Sequence, residues 1–172
     1  MSNYSRPDFL TENSLIVDFD CGEDSLNRWL VEKAWKNHVA GNSKTYVVND
    51  GERVVAYYSL HVGSVYHELL SAADKRNSPD PVPAIVIGRL AVDLKHQGKG
   101  IATYLIQFIY SQVLLLSEKV GAKLLIVNAI DADVVDFYVN LGFKASKIEP
   151  LLLLLSVSKL KASLTDAKDD SL

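Results

Sequence analysis

Residues 85–117 read IVIGRLAVDLKHQGKGIATYLIQFIYSQVLLLS, and this stretch decides the fold. Its first part is a strand: Ile85, Val86, Ile87, Leu90, Ala91 and Val92 form an apolar run bounded by Pro83 and by the polar segment 93–95. Its second part is a helix, because from Ile101 onward apolar residues recur at 101, 105, 108, 109, 113 and 116. Between them lies Gln97-Gly98-Lys99-Gly100-Ile101-Ala102. A strand that runs through a glycine-rich turn into a helix N-terminus holds anions for a physical reason. The first helical N–H groups lack intrahelical acceptors and carry the positive end of the helix dipole, and glycine lets an anionic group approach the backbone closely.

Around this unit the chain has the length and balance of one globular domain. Its 172 residues suffice to bury roughly 70% of the surface exposed when unfolded. The hydrophobic share of 48% and charged share of 23% are ordinary for a soluble protein. The polar start 1–8 and the short run 15–17 do not form a signal peptide, and the five leucines at 151–155 are far short of the about twenty residues a membrane span needs. Cys21 is the single cysteine, which excludes an internal disulfide and fits a reducing cytoplasm. A net charge of −3 argues against a globally basic nucleic-acid binder but permits a local patch.

In chain order, Phe19-Asp20-Cys21-Gly22-Glu23-Asp24 resembles a helix start, with Asp20 and Glu23 spaced as in a capping box. Leu26, Trp29, Leu30, Ala34 and Asn37 then share one face of an amphipathic helix that runs to about Ala40 and stops at Gly41-Asn42. Its other face carries Arg28, Lys33 and Lys36, a solvated surface unless a polyanion meets it. Strands are expected over 44–48 and 53–62, joined by a hairpin at Asn49-Asp50-Gly51-Glu52. Residues 63–83 form a long polar connection, with a short helix possible at 65–73. After the central unit come a buried strand over 123–130, a helix from Asp131 or Asp133 to Leu141, and strands over 143–148 and 151–159. The strand over 123–130 follows a strand-then-helix unit and is expected parallel to 85–92. Residues 161–172 mix charges without an apolar period and read as a flexible tail behind a domain of 1–160.

The loop is neither of two common phosphate motifs. A P-loop needs Gly-x-x-x-x-Gly-Lys-Ser/Thr, and the dinucleotide fingerprint needs a third glycine where Thr103 stands. Gln97-x-x-Gly100-x-Ala102 instead resembles the acetyl-CoA pyrophosphate loop of the GNAT N-acetyltransferase superfamily, Gln/Arg-x-x-Gly-x-Gly/Ala. A second piece agrees: Phe137-Tyr138-x-x-x-Gly142-Phe143 matches the ending of a late helix in that superfamily. The resemblance implies an α/β, single-domain GNAT fold with a mixed sheet of about six strands, helices on both faces, and a splayed parallel strand pair holding acetyl-CoA. It also implies roles. Leu90, Ala91 and Val92 would flank the pantetheine and thioester, and Gln97, Gly98, Lys99, Gly100, Ile101 and Ala102 would hold the pyrophosphate. Phe137 lies on the cofactor side. Asn128, an amide in an apolar strand, would bond either the pantetheine or the neighbouring chain. Tyr138 would protonate the departing thiolate, whose pKa resembles the about 8.5 of a cysteine thiol.

No general base stands out, because His38, His61, His67 and His96 show no spacing with each other or with acids that suggests a dyad or metal site. An enzyme without a base suits an α-amine, with a pKa near about 8, better than a lysine amine near about 10.4. A narrower resemblance covers most of 9–158. Phe19-Asp20-Cys21-Gly22-Glu23-x-Ser25-Leu26-x-x-Trp29-Leu30, Tyr57-Tyr58-Ser59-Leu60, Gly88-Arg89-Leu90-Ala91-Val92-Asp93 and Phe137-Tyr138 resemble the bacterial GNAT toxins of toxin–antitoxin pairs. Those enzymes acetylate the α-amine of aminoacyl-tRNA and block translation, and their antitoxins are ribbon-helix-helix proteins. The resemblance implies that Arg89, Lys33 and Lys36 contact tRNA, with Lys75, Arg76, Lys95 and Lys99 completing a basic patch; the alternative for Arg89 is a salt bridge at a strand edge. Two other classes remain open: a GNAT enzyme for a small amine or a protein N-terminus, and a non-catalytic CoA-binding partner of a DNA-binding antitoxin. The apolar girth of the helix over 101–116 also leaves a face for a homodimer.

Overall fold

In the computed structural model, which describes residues 3–169, the first element is a short edge strand, β1 (Asp8–Phe9). Helix α1 (Asp24–Trp29) then runs without a break through a π-helical segment (Leu30–Ala34) into α2 (Trp35–Ala40), and Gly41 closes it at φ 79°. The stop lies where the sequence places it, but the capping box does not form. Glu23 holds the N-cap position without a side-chain cap, whereas Asp20 accepts from the Gly22 N–H at 2.9 Å and from the Asn27 side chain at 2.8 Å. Gly22, at φ 89°, turns the chain between Asp20 and the helix, so the carboxylate bonds that turn instead.

Strands β2 (Lys44–Asp50) and β3 (Arg53–Val65) pair antiparallel as the expected hairpin, with Gly51 at φ 62° in the turn and a register shift between Val48 and Asn49. The connection expected over 63–83 is more ordered than its polarity suggests. β3 continues to Val65, and a 3-10 turn (His67–Leu69) and helix α3 (Ala72–Lys75) precede β4 (Val82–Val92). Local polar bonds account for this. Ser71 caps α3, the His67 N–H donates to Asp80 at 3.0 Å, and His67 Nε2 bonds the Pro79 carbonyl at 2.7 Å.

A 3-10 turn (Leu94–His96) leads to α4 (Ile101–Ser117), followed by β5 (Leu124–Asn128), α5 (Ala132–Val139), β6 (Lys144–Ala145), β7 (Leu152–Ser156) and α6 (Val157–Asp169). Helix α6 begins at Val157, where the strand expected over 151–159 would have continued, and residues 161–169 of the expected tail form its later turns. Its first turn is anchored by the buried Val157 and Leu160, an i, i+3 pair that the charges after it obscure. Residues 170–172 of that expected tail lie outside the described residues. Among the described residues the sheet has seven strands rather than about six, because β1 is two exposed residues and too short to leave an alternation in the sequence.

Two compact units are built from these elements, and β3, β4 and α4 each contribute residues to both. The first, residues 3–61 and 87–108, carries the strand order β1-β2-β3-β4 and a core that includes Phe19, Trp29, Leu30, Val47 and Tyr57. The second, residues 62–86 and 109–169, carries the order β4-β5-β7-β6, with β5 antiparallel to β7 and β7 antiparallel to β6, around Val82, Val86, Leu124, Ile126, Leu152 and Leu154.

Candidate active site

In the first unit, the chain leaving β4 is braced before it reaches α4. Asp93 is buried, and its carboxylate accepts from the Asp20 N–H at 3.1 Å and the Lys95 N–H at 2.9 Å. The Gln97 amide donates to the carbonyls of Cys21 at 3.0 Å and Val92 at 2.8 Å. The Gln97 side chain is therefore a structural clasp, and only its backbone remains for a ligand. Asp93, as a brace, was not separable from the motif around it in the sequence.

Held by that clasp, the loop turns on two glycines, Gly98 at φ 73° and Gly100 at φ 80°. A Cβ at either would meet nothing within 4 Å, so the backbone presents an open surface. Tyr104 makes the first helical bond, its N–H donating to the Gly100 carbonyl at 3.1 Å. The N–H groups of Ile101, Ala102 and Thr103 thus precede the hydrogen-bonded ladder of the 17-residue helix α4, whose dipole ends there. Exposed glycine backbone at a long helix N-terminus fits a pyrophosphate, and the exposed Lys99 adds a charge that suits it. Upstream in β4, Leu90 is half-buried and Ala91 and Val92 are buried, with Ala91 in the core.

A second cluster in the same unit surrounds Arg89. Its guanidinium lies 4.3 Å from the Trp29 ring centroid, a cation–π contact rather than the alternative salt bridge. Trp29 in turn stacks on Tyr57 at 6.0 Å and 11°, and the Tyr57 hydroxyl donates to the Leu26 carbonyl at 2.8 Å. Burial pushes the Tyr57 phenol up. Further along β3, on the face that carries Tyr57, sit Ser59 and His61. A Cβ at Gly88 would come 2.9 Å from Ser59 Oγ and 3.2 Å from His61 Nδ1, so both side chains close over that glycine. Ser59 is buried and its hydroxyl has no hydrogen-bond partner among the described residues. Burial first, and then Arg89, lower the His61 pKa below the usual 6.5. Sequence spacing hides this histidine, because its neighbour is 27 positions away on another strand. Lys33 and Lys36 are exposed on the π-helical segment and α2, while Arg28 pairs with Asp24 at 3.1 Å.

In the second unit, Asp131 caps α5 by accepting from the Asp133 and Val134 N–H groups, and the helix carries Phe137 and Tyr138 on its last turn. Tyr138 is 4% exposed. Its ring meets Phe137 at 5.1 Å and Phe143 at 5.5 Å, both edge-on, and its carbonyl accepts from the Phe143 N–H at 3.1 Å. The motif Phe-Tyr-x-x-x-Gly-Phe is thus a packing unit around the tyrosine. Burial pushes its phenol up to about 12. Asn128 differs from expectation: it is the exposed last residue of β5, not a buried amide in need of partners.

Residues 41–145 match the model of an acetyltransferase (GNAT) domain. A tRNA-acetylating toxin of Mycobacterium tuberculosis is 36% identical over 166 residues, covering 96% of this chain and 100% of the toxin. Among solved structures, AtaT complexed with acetyl-methionyl-tRNAfMet superposes with a TM-score of 0.86 at 25% identity, covering 94% of this chain and 99% of that one. The AtaTR complex bound with acetyl-CoA matches with a TM-score of 0.80 at 26% identity, covering 94% and 98%. A KacTA–DNA complex matches with a TM-score of 0.77 at 26% identity, covering 95% and 99%.

Proposed function

The chain belongs to the GNAT acetyltransferases, and from that premise we propose that it is a toxin that moves the acetyl group of acetyl-CoA onto the α-amine of aminoacyl-tRNA and so blocks translation. The observation that carries the acceptor is the 36% identity, over nearly the whole of both chains, to a tRNA-acetylating toxin. The likeness to AtaT with an acetylated aminoacyl-tRNA supports the same acceptor.

Each part of the chain then has a task. Backbone N–H groups over 97–102 hold the pyrophosphate, with Gly98, Lys99, Gly100, Ile101 and Ala102 supplying the surface and the Gln97 side chain keeping it in place. Leu90, Ala91 and Val92 line the pantetheine and thioester, and Phe137 and Asn128 lie on the cofactor side. Tyr138 donates its hydroxyl proton toward the departing sulfur. A phenol at about 12 stays protonated throughout the neutral range. The burial that raises it raises a thiolate in similar surroundings too, which narrows the gap the proton must cross. Arg89, Lys33 and Lys36 meet the tRNA phosphates. Fixed by Trp29, Arg89 loses little side-chain freedom in doing so.

The proposed partner is an antitoxin of the ribbon-helix-helix type; the DNA in the KacTA complex suits a partner that binds DNA. A second copy of the chain is the other proposed partner, since Tyr104, Leu115 and Leu116 of α4 are exposed. The test of the function is acetyl transfer from labelled acetyl-CoA to a pool of charged tRNAs. Label in the aminoacyl ester is expected. Label in free amines or protein N-termini with none in tRNA would replace the acceptor, and no transfer to any amine would leave a CoA-binding partner of the antitoxin.

A further inference from the structure

We propose that His61 is the general base of the transfer, taking the proton from the acceptor nitrogen; this rests on the aminoacyl-tRNA reading above. The argument starts from Gly88. Because residue 88 has no side chain, the His61 imidazole reaches the backbone of β4, with Nδ1 and Cε1 both 3.2 Å from where a Cβ would stand. That backbone is the segment entering Leu90–Val92, which the function assigns to the thioester. The next residue is Arg89, assigned to the tRNA, and Trp29 holds it at 4.3 Å. One imidazole thus lies against the strand assigned to the acetyl donor and within the electrostatic reach of the cation assigned to the acceptor. Ser59, buried and unpartnered, reaches the same glycine and gives the cluster a second polar group.

The charge state suits the role. Arg89 is the charged group set against His61 among the described residues, and with burial it favours the neutral ring. A neutral imidazole accepts a proton; an imidazolium does not.

The step balances as follows. The neutral amine forms the C–N bond with the acetyl carbon, which leaves a positive charge on nitrogen. That nitrogen gives a proton to His61. The C–S bond breaks with its electron pair on sulfur, and the thiolate takes the Tyr138 hydroxyl proton. His61 returns its proton to solvent, and the Tyr138 phenolate takes one from solvent. The products are the amide and the free thiol, with no change in oxidation state.

The test compares wild type, His61→Gln and Gly88→Ala on charged tRNA. His61→Gln is expected to bind acetyl-CoA like wild type, which shows that it is folded, while kcat falls about 10²–10⁴-fold. Gly88→Ala is expected to lower kcat in the same sense, because its methyl group displaces the ring. The pH profile separates a base from a merely structural ring. In wild type, both the acceptor amine and His61 must be neutral, so log kcat/KM falls with a slope of two in acid; in His61→Gln the slope is one. Unchanged kcat and an unchanged acid limb in His61→Gln would overturn the proposal alone. Wild type that acetylates no charged tRNA would overturn the acceptor reading and this proposal with it.

Discussion

Tyr138 and Gly100 are single residues whose roles rest on one group each, a hydroxyl and the absence of a side chain. The Tyr138 ring is fixed by Phe137 and Phe143, and neither contact uses its oxygen. Tyr138→Phe should therefore fold and bind acetyl-CoA normally while turnover falls about 10²–10⁴-fold, the usual worth of one positioned acid. Full turnover of the mutant across the accessible pH range would remove Tyr138 from the mechanism. Gly100 works differently. At φ 80° a β-branched residue costs about 1–2 kcal/mol in backbone strain, and its side chain also occupies the face presented to the pyrophosphate. Gly100→Val should weaken acetyl-CoA binding by about tenfold or more in a folded protein. Calorimetric titration with unchanged affinity would move the pyrophosphate elsewhere.

At the scale of elements, legibility followed the range of the interactions. The β4-loop-α4 unit was readable because strand period, glycines and helix period are all local. The hairpin at Gly51 and the stop at Gly41 were readable for the same reason. Reading failed where a distant partner decided. Asp20 has capping-box spacing but bonds the turn at Gly22, α6 is anchored by two apolar residues among charges, and Asn128 ends its strand in solvent. His61 and Gly88 meet only through strand pairing, so no spacing announces them. The Asp74–Lys144 pair is another long-range tie, joining α3 to β6 at 2.8 Å, with Ser71 donating to the same carboxylate at 2.8 Å. Burial pushes the Asp74 carboxyl up, but the Lys144 and Ser71 hydrogen bonds outweigh it, and its pKa lies below the usual 3.8. The folded state thus binds this proton less readily than the unfolded chain. The stabilisation is complete above about pH 4 and is lost as pH falls through the folded pKa. Lys144→Met should cost about 2 kcal/mol at pH 7, less than a fully buried pair because the Lys144 side chain is 46% exposed. In urea unfolding the difference from wild type should shrink towards pH 3. A midpoint at pH 7 equal to wild type would show that the pair contributes nothing.

For the molecule as a whole, the question is how a chain of net charge −3 would bind the polyanion proposed as its acceptor. Net charge sets long-range repulsion, which salt screens beyond about 8–10 Å, whereas counterion release depends on the cations that touch phosphate. Those cations need not be numerous. Arg28 is already shared with Asp24, and Arg89 is held on Trp29, so the exposed lysines of the first helix are the flexible contributors. Affinity for charged tRNA should fall steeply with salt despite the acidic balance. Each lysine that contacts a phosphate adds about 0.7–0.9 to the slope of log affinity against log salt. Lys33→Ala with Lys36→Ala should therefore lower that slope by about 1.5 and weaken binding similarly for different tRNAs, since phosphate contacts carry no sequence information. Arg89→Ala should also lower the slope, by about 1, and additionally lower kcat if the guanidinium orients the acceptor end. Filter binding between 50 and 300 mM salt measures both. A slope near zero for wild type would point to an uncharged acceptor. A steep slope unchanged in the double mutant would place the phosphate contacts on other cations, with Lys95 and Lys99 beside the glycine loop the next to test.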